Sequence, residues 1–150
     1  MAKKVKIAMG ADHGGYRLKE VLKGYLKKKG FIVLDFGTFT DESCDYPLIG
    51  HKVAKAVAMK KCRFGINICK TGFGMGIISN KVKSVRSAVC DSLSQAKSAR
   101  EHNDCNVLSL SGMRIKLWKA KKICEVFLKT KSLGGRHKRR VKQINNLERK

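Results

Sequence analysis

Short runs of apolar and β-branched residues alternate along the chain with stretches in which apolar residues recur three or four positions apart. Runs of the first kind, bounded by glycine or polar residues, are typical of strands in a sheet. They predict five strands, at Lys4–Gly10, Phe31–Phe36, Arg63–Cys69, Val85–Cys90 and Asn106–Leu110.

Helices are predicted between these strands. In the first of them Leu18, Leu22 and Leu26 fall on one helical face, and Gly30 follows where a helix C-terminus is expected. The predicted helices cover Gly15–Lys29, Pro47–Lys60, Asp91–Glu101 and Trp118–Leu128, with a short helix ending near Lys81 and a basic helix from Gly135.

This alternation indicates an α/β fold in which parallel strands form one open sheet with helices on both faces. Neither a repeat nor a linker interrupts the pattern, so residues 1–150 are predicted to form a single domain. Ligands of such sheets bind beyond the carboxyl ends of strands. We therefore expect the chemistry at Gly10–Gly15, Cys69–Gly76, Asp91 and His102–Asn106.

The charge of the chain is unusual, because 34 Lys and Arg residues stand against 11 Asp and Glu residues, a net charge of +23. A protein this basic attracts anions such as phosphorylated metabolites, nucleic acids or acidic membrane surfaces. The basic residues are scattered along the sequence, which favours a generally lysine-rich surface without a dedicated partner. Nucleic acid is not an expected partner, because no known reading motif is present and aromatic residues make up 7% of the chain.

Other features narrow the class of protein further. No apolar run approaches the ~20 residues of a membrane span, and the N-terminus lacks the apolar stretch of a signal peptide. The six cysteines are far apart and form no C-x-x-C pair, which favours free thiols in a reducing cytoplasm. Because no Cys or His pair has ligand spacing, we expect no metal.

The glycine-rich loop from Cys69 to Gly76 is the strongest local motif. It follows an apolar strand and opens a helix, where consecutive N–H groups form an anion site and glycine allows a ligand to approach the backbone. The alternative is a tight turn without a ligand. Two similar motifs do not fit: Ile77 replaces the third glycine of a dinucleotide fingerprint, and Cys69 precedes Lys70-Thr71 where a P-loop has glycine.

Polar residues near this loop complete a set of candidates. Cys69, near a helix N-terminus and beside a lysine, is expected to have a lowered pKa and to act as a base or nucleophile. The pairs Asp12-His13 and His102-Asn103 are candidate site residues, although a histidine is often structural. Arg136 and Arg140 could clamp one phosphate from a single helix face, unless the tail is simply solvated.

Five segments in this order resemble the type B ribose-5-phosphate isomerases, a family shared with the galactose-6-phosphate isomerase subunits. They are Gly10-Ala-Asp-His-Gly-Gly, Asp45-Tyr-Pro, Ile68-Cys-Lys-Thr-Gly-Phe-Gly, Arg100-Glu-His-Asn-Asp-Cys-Asn-Val-Leu and Gly134-Gly-Arg-His-Lys-Arg-Arg. The resemblance implies a Rossmann-like three-layer α/β/α sandwich with a five-stranded parallel sheet. It also implies interconversion of D-ribose 5-phosphate and D-ribulose 5-phosphate without a metal or other cofactor. Members form homodimers, often paired into tetramers, whose active sites are shared between subunits.

The resemblance also implies residue roles. Cys69 matches the catalytic base, which moves a proton between C2 and C1 through a cis-enediolate, and Thr71 and His102 match residues that assist ring opening. The remaining matches bind the substrate: Lys70, Gly72, Phe73 and Gly74 as the anion hole, Asp12 at sugar hydroxyls, His13, Arg136 and Arg140 at the phosphate, and Asn103 and Tyr46 along the pocket.

The chain departs from the family pattern at two positions. Lys70 stands where glycine is usual, and lysine would be strained if the backbone there required a positive φ. Arg114 comes one residue later than the family's arginine after the fifth strand, so the resemblance gives it no firm role.

Allose 6-phosphate and galactose 6-phosphate remain alternative substrates. Galactose-6-phosphate isomerases divide their catalytic residues between two different chains, whereas this chain carries the whole set.

Overall fold

Strands and helices alternate along the chain in the computed structural model, which describes residues 2–149. The strands are β1 (Lys6–Ala11), β2 (Ile32–Asp35), β3 (Phe64–Cys69), β4 (Ser87–Val89) and β5 (Val107–Ser111). The helices are α1 (Tyr16–Lys28), α2 (Tyr46–Ala58), α3 (Phe73–Asn80), α4 (Leu93–Asn103), α5 (Leu117–Lys129) and α6 (Arg136–Glu148). The predicted elements are confirmed, with boundaries that differ by no more than two residues.

The strands form one parallel sheet in the order β2-β1-β3-β5-β4. The chain therefore moves outward from β1 to β2 and then crosses to the other side at β3. At this crossover Ala11 of β1 is paired with Ile68 of β3, so the segments that leave the two strands start side by side. An open parallel sheet binds ligands at such a point, beyond the carboxyl ends of the strands. We call the edge at which the strands end the carboxyl edge.

Alternate residues of the central strands face two different helix layers. Ile66 and Ile68 of β3 pack into the larger cluster, beneath α1, α4 and α5, and both are fully buried. On the other face Gly65 lets α2 approach closely, because a Cβ there would lie 2.9 Å from the Val53 side chain. Each fully buried Ile or Leu contributes about 1.5–3 kcal/mol, so this double-sided core fixes the ends of β1, β3 and β5.

Helix α6 differs from the others because none of its residues is buried. It packs against α4 and is tied to the loop before β4 by polar contacts. Glu148 accepts a hydrogen bond from the backbone N–H of Ser84, and Asn145 accepts one from Arg86. Within residues 2–149, no helix has both the length and the apolar character that a bilayer crossing demands.

Candidate active site

Three strands end around Cys69. The N–H of Asp12 donates to the carbonyl of Ile68 at 3.1 Å, and the N–H of Gly112 donates to the carbonyl of Cys69 at 2.8 Å. The Cys69 side chain is 4% exposed, and its Sγ accepts a hydrogen bond from the N–H of Gly72 at 3.2 Å. The sulfur therefore has a backbone N–H donor within hydrogen-bond distance.

The loop after Cys69 depends on Gly72. Its φ is +83°, and a Cβ there would lie 3.1 Å from the backbone carbon of Leu110 and 3.2 Å from the backbone nitrogen of Ser111. Other residues are strained in this conformation and would also meet immovable backbone. Helix α3 starts at the next residue, and the first N–H groups of a helix have no partner within it. The loop therefore places the start of α3, with N–H groups that lack a partner within the helix, beside the Cys69 sulfur, as an anion site requires.

Lys70 is accommodated in this loop without backbone strain. Among residues 2–149, the non-glycine residues with positive φ are Lys60, Ser84 and Asp104, so Lys70 does not need the freedom of glycine. Its carbonyl accepts a hydrogen bond from the Ser111 hydroxyl at 2.7 Å. The space for its side chain comes from Gly14, where a Cβ would lie 2.9 Å from the Cβ of Lys70.

The first wall of the site carries Asp12 and His13. Asp12 is 6% exposed, and its Oδ1 accepts a hydrogen bond from the N–H of Gly15 at 3.1 Å. The exposed ring of His13 accepts a hydrogen bond at Nδ1 from the N–H of Cys44, at 3.2 Å. Because Nδ1 accepts, the neutral ring carries its proton on Nε2, which leaves that N–H free to donate to an anion. A cleft of about 590 Å³ lies between these side chains and residues 43–48.

Tyr46 and Arg114 flank the glycine loop. A Cβ on Gly74 would lie 2.6 Å from the Tyr46 ring, so this ring lies directly against the loop. Thr71 is half-buried beside them, and its hydroxyl accepts a hydrogen bond from the N–H of Phe73. The Arg114 guanidinium lies 5.6 Å from the centre of the Phe73 ring. Arg114, to which the resemblance gave no firm role, is therefore at the carboxyl edge with the other candidates.

A buried ion pair holds the segment that carries Cys44. Lys19 is fully buried, and its Nζ lies 2.6 Å from a carboxylate oxygen of Asp35, whose other oxygen accepts a hydrogen bond from the N–H of Gly37. Burial alone would raise the pKa of Asp35, but hydrogen bonds from Lys19, Lys23 and the Gly37 N–H outweigh burial and lower it. Sequence reasoning missed Lys19, since a lysine within a basic helix carries no signal that it is buried.

The prediction that His102–Asn106 lies at the carboxyl edge is wrong. Helix α4 runs antiparallel to the strands and delivers His102 and Asn103 to the edge where strands begin, which we call the amino edge. Asn103 accepts a hydrogen bond there from Arg86, the residue before β4, and the Asn106 carbonyl accepts one from Gly65 in β3. The length of β5, about 13 Å at ~3.3 Å per residue, separates this edge from the Cys69 loop.

The basic candidates of α6 lie with His102 at the amino edge. The rings of His102 and His137 are stacked with their centres 4.6 Å apart. Desolvation and the neighbouring positive charges of His102, Arg136 and Arg140 lower the pKa of His137. A cavity of about 320 Å³ beside the two rings is lined by Asp104, Leu133 and Lys138 among others.

One chain thus holds two half-sites. The carboxyl edge brings together Asp12, His13, Tyr46, Cys69, Lys70, Thr71, Gly72, Phe73 and Gly74. The amino edge brings together His102, Asn103, Arg136 and Arg140. The first half has a buried thiol beside the N–H groups of a glycine-rich loop, and the second has the cations. No three His, Cys, Asp or Glu side chains come together as metal ligands would in the part of the chain from residue 2 to residue 149.

Comparison with known proteins shows the family to which the chain belongs. A sequence model of the Ribose/Galactose Isomerase family matches residues 7–144. Ribose-5-phosphate isomerase B of Escherichia coli is 41% identical over 143 residues, which cover 95% of this chain and 96% of that protein. The Clostridium thermocellum ribose-5-phosphate isomerase B structure has 47% identity and a TM-score of 0.95, covering 97% of this chain and 98% of its own.

A third relative was solved with a ligand. It is the ribose-5-phosphate isomerase B of Mycoplasma genitalium with bound ribulose 5-phosphate, 37% identical with a TM-score of 0.94 over 99% of both chains. These similarities extend through both half-sites and across the whole sheet. The chain belongs to the ribose/galactose isomerase family.

Proposed function

We propose that this chain is an aldose–ketose isomerase that interconverts D-ribose 5-phosphate and D-ribulose 5-phosphate in the non-oxidative pentose phosphate pathway. The observation that carries the proposal is the Cys69 sulfur at the end of β3, hydrogen-bonded to the N–H of Gly72 and followed by the first turn of α3, whose N–H groups have no partner within the helix. Relatives that align over nearly the whole chain are ribose-5-phosphate isomerases, and one was solved with ribulose 5-phosphate.

In the proposed reaction Cys69 removes the proton from C2 of the open-chain aldose and returns a proton to C1. Between these steps the substrate is a cis-enediolate. One proton leaves the O2 hydroxyl and one is added to O1, so that the aldehyde becomes a ketone. The N–H groups of the loop stabilise the negative oxygen as it forms. One such donor contributes on the order of 3 kcal/mol to lowering the barrier. Thr71 and His102 assist the preceding opening of the furanose ring.

The position of the two half-sites favours a homodimer, and we propose that each active site combines the carboxyl edge of one subunit with the amino edge of the other. A two-fold axis would pair both half-sites at once and give two complete sites. The exposed side chains of Phe73, Ile77 and Val89 line an apolar cleft beside the glycine loop, where a second subunit would pack. Two such dimers would associate into the tetramer that the family resemblance also implies.

Mixing two inactive variants tests the reaction and the shared site together. In Cys69→Ala homodimers both sulfur bases are missing, and in His102→Ala homodimers both imidazoles are missing. A heterodimer of the two has one intact site, so refolding an equal mixture should restore about a quarter of wild-type turnover. Because each variant alone stays inactive, recovery shows that residues from two chains meet. Absence of recovery in a mixture that contains heterodimers contradicts the shared site.

The identity of the sugar is tested separately. The matching family also includes galactose isomerases, so allose 6-phosphate and galactose 6-phosphate are the competing substrates. A coupled assay should give a higher kcat/KM for ribose 5-phosphate than for either six-carbon sugar. Turnover should also survive EDTA, because no proposed step uses a metal. A preference for a six-carbon sugar would assign the same chemistry to a different substrate.

We also propose that the protein works in the cytoplasm. All six cysteines are free thiols, and five of them are buried. Burial raises the pKa of Cys90 to about 12 and that of Cys124 to about 12, which keeps these thiols protonated and unreactive. A reducing compartment suits a chain whose base is itself a thiol.

A further inference from the structure

Basic residues that are scattered along the sequence converge at the amino edge. Because all strands are parallel, the segments that precede them lie at this one edge. Three Lys or Arg lie in each of the segments that precede β1 to β4, which are residues 2–6, 27–31, 59–63 and 81–86. Two more lie in residues 129–135, which connect α5 to α6, so the total is fourteen. Residues 104–106, which precede β5, contain Asp104, the single acid of these segments. The fold therefore concentrates the excess charge that sequence order disperses.

The carboxyl edge has the opposite balance. The segments that follow the strands, residues 12–15, 36–45, 70–72, 90–92 and 112–116, contain three Lys or Arg and five Asp or Glu. If the excess charge served only to attract an anionic sugar to its own Cys69 loop, the cations would surround that loop. They lie instead at the far end of the sheet.

Nine of these cations form a continuous surface, which we call the basic rim. They precede β2, β1 and β3, which are neighbours in the sheet with starts about 5 Å apart. The half of the edge before β4 and β5, near α6, is the half-site and is not part of the rim. The basic rim consists of Lys3, Lys4, Lys6, Lys27, Lys28, Lys29, Lys60, Lys61 and Arg63.

Internal contacts do not account for the rim. All nine side chains are exposed, and among residues 2–149 only Lys29 of the nine forms an ion pair, with Glu125 at 3.2 Å. Lys27 and Lys28 lie in the last turn of α1, where their positive charges interact favourably with the helix dipole. That explanation does not reach residues 2–6, which no described helix precedes. Eight unpaired cations on one edge repel each other, so a polyanion placed against them would be strongly attracted.

We propose that, contrary to the expectation drawn from the absence of a reading motif, the basic rim binds the sugar-phosphate backbone of a double-stranded nucleic acid without reading its sequence. A duplex carries one negative charge per about 1.7 Å of its axis, which matches a dense row of lysines. Eight of the nine cations are lysines, which act as point charges on phosphates, whereas base reading relies on forked side chains such as Arg. No exposed aromatic side chain lies in residues 2–6, 27–31 or 59–63 to stack on unpaired bases.

A lipid surface is the less favoured partner. Stable attachment to a bilayer combines cations with apolar side chains that enter the headgroup layer. In residues 2–6, 27–31 and 59–63, Met59 is the one exposed large apolar side chain. The rim thus offers charge without an apolar wedge, which is the pattern of phosphate-backbone binding.

A salt series on matched variants tests the proposal. Binding of a random 30-base-pair duplex is followed by fluorescence anisotropy between 50 and 200 mM KCl, with the full chain. The rim variant carries Lys→Gln at Lys3, Lys4, Lys60 and Lys61. The control variant carries Lys→Gln at Lys52, Lys55, Lys116 and Lys122, which are exposed elsewhere, so both variants lose the same charge.

The rim variant should bind the duplex at least about 10-fold more weakly at 100 mM salt, and its slope of log affinity against log salt should fall by about 3 to 4, since each phosphate contact contributes ~0.9. The control should keep the wild-type slope. Isomerase turnover should be unchanged in both, because the substituted residues belong to neither half-site, and this also confirms folding.

Three results would overturn the proposal. Equal weakening of both variants would mean that net charge alone attracts the duplex. Absence of wild-type binding at 50 mM salt would remove the partner altogether. Binding to vesicles with 30% phosphatidylserine, without binding to duplex, would assign the rim to a membrane surface. None of these results bears on ribose 5-phosphate turnover, so the isomerase proposal stands or falls separately.

Discussion

The two half-sites of this chain are built in different ways. The carboxyl-edge half lies at the ends of the buried strands β1, β3 and β5. Backbone atoms of β5 lie so close to Gly72 that only glycine fits there. The amino-edge half is carried by the end of α4 and by α6, a helix with no buried residue. Proton transfer between neighbouring carbons tolerates little displacement, so its residues are fixed by the core. A phosphate can be held by exposed cations, whose final position a partner subunit would set in the proposed dimer.

Removal of the Cys69 sulfur should have the largest effect on either half. Cys69→Ala takes away the proposed base, and we expect kcat to fall on the order of 10³-fold, within the range of general-base contributions. The measurement is initial-rate turnover of ribose 5-phosphate, with circular dichroism to verify the fold.

The matched control for that variant is Cys62→Ala. Cys62 is also buried but lies before the start of β3, whereas Cys69 is the last residue of that strand. It should lose some stability to the small cavity and keep its kcat. Near-wild-type turnover of Cys69→Ala would show that the sulfur is not the base.

Gly72→Ala should be the next most damaging change, and it tests how tightly the core fixes the first half. A left-handed conformation costs a non-glycine residue about 1–2 kcal/mol, and the added Cβ would push against Leu110 and Ser111. Displacing the loop by about 1 Å would lower kcat on the order of 10²-fold. Kinetics and thermal unfolding measure the two effects.

Gly24→Ala provides the control for Gly72→Ala. Gly24 lies inside α1, with open space where its Cβ would be, and alanine is a better helix former than glycine. Its Tm should rise slightly while kcat stays the same. Loss of activity in both variants would contradict a specific role for the glycine loop.

Arg140→Ala tests the second half and should affect binding rather than stability. A lost charge-assisted hydrogen bond to phosphate costs about 1.5–3 kcal/mol, which raises KM roughly 10- to 100-fold. Because Arg140 is exposed in the chain, Tm should not change. Lys142→Ala, also exposed on α6, should leave KM near the wild-type value. A fall in kcat without a rise in KM would show that Arg140 does not hold the phosphate.

Acid should destabilise the first half through Asp35. Its pKa is lowered in the folded chain, so the ion pair with Lys19 stabilises the fold above the ordinary carboxyl pKa of 3.8, and this stability is lost as pH falls through the lowered value. Urea unfolding between pH 7 and pH 3 should show the loss. Asp35→Asn should be less stable at pH 7 and should change less with acid. Equal pH dependence of the two proteins would assign the loss to other carboxylates.

Strand–helix alternation predicted the fold because each element of the core has a local sequence pattern. The short apolar run that contains Ile66 and Ile68, for example, is typical of a buried strand. The predicted start of β4 was two residues early, because buried Val85 belongs to the turn after α3 and donates its N–H to the carbonyl of Val82. The placement of His102 failed for a topological reason. A residue just before a strand lies at the amino edge, and the rule for ligand sites applies to residues just after one.

Other contacts of the candidate site could not be predicted from the sequence alone. The Tyr46 ring lies on Gly74, and the N–H of Cys44 reaches His13, through the path of residues 36–45. That path depends on how Asp35 pairs with Lys19 in another element, which no local pattern encodes.

The smallest expected effect is a pH-dependent loosening of α6. The pKa of His137 is lowered from its ordinary value of 6.5, mainly by desolvation and by the charge of His102 stacked on it. A lowered pKa means that the released helix binds the proton more readily, so docking of α6 is complete above pH 6.5 and weakens as pH falls through the lowered value. Hydrogen exchange of α6 amides should therefore be faster at pH 5 than at pH 7.5, after correction for intrinsic rates, while β3 stays protected. His137→Phe keeps a ring on His102 without a charge and should abolish the difference. If β3 and α6 lose protection together, the two half-sites do not differ in the way their packing indicates.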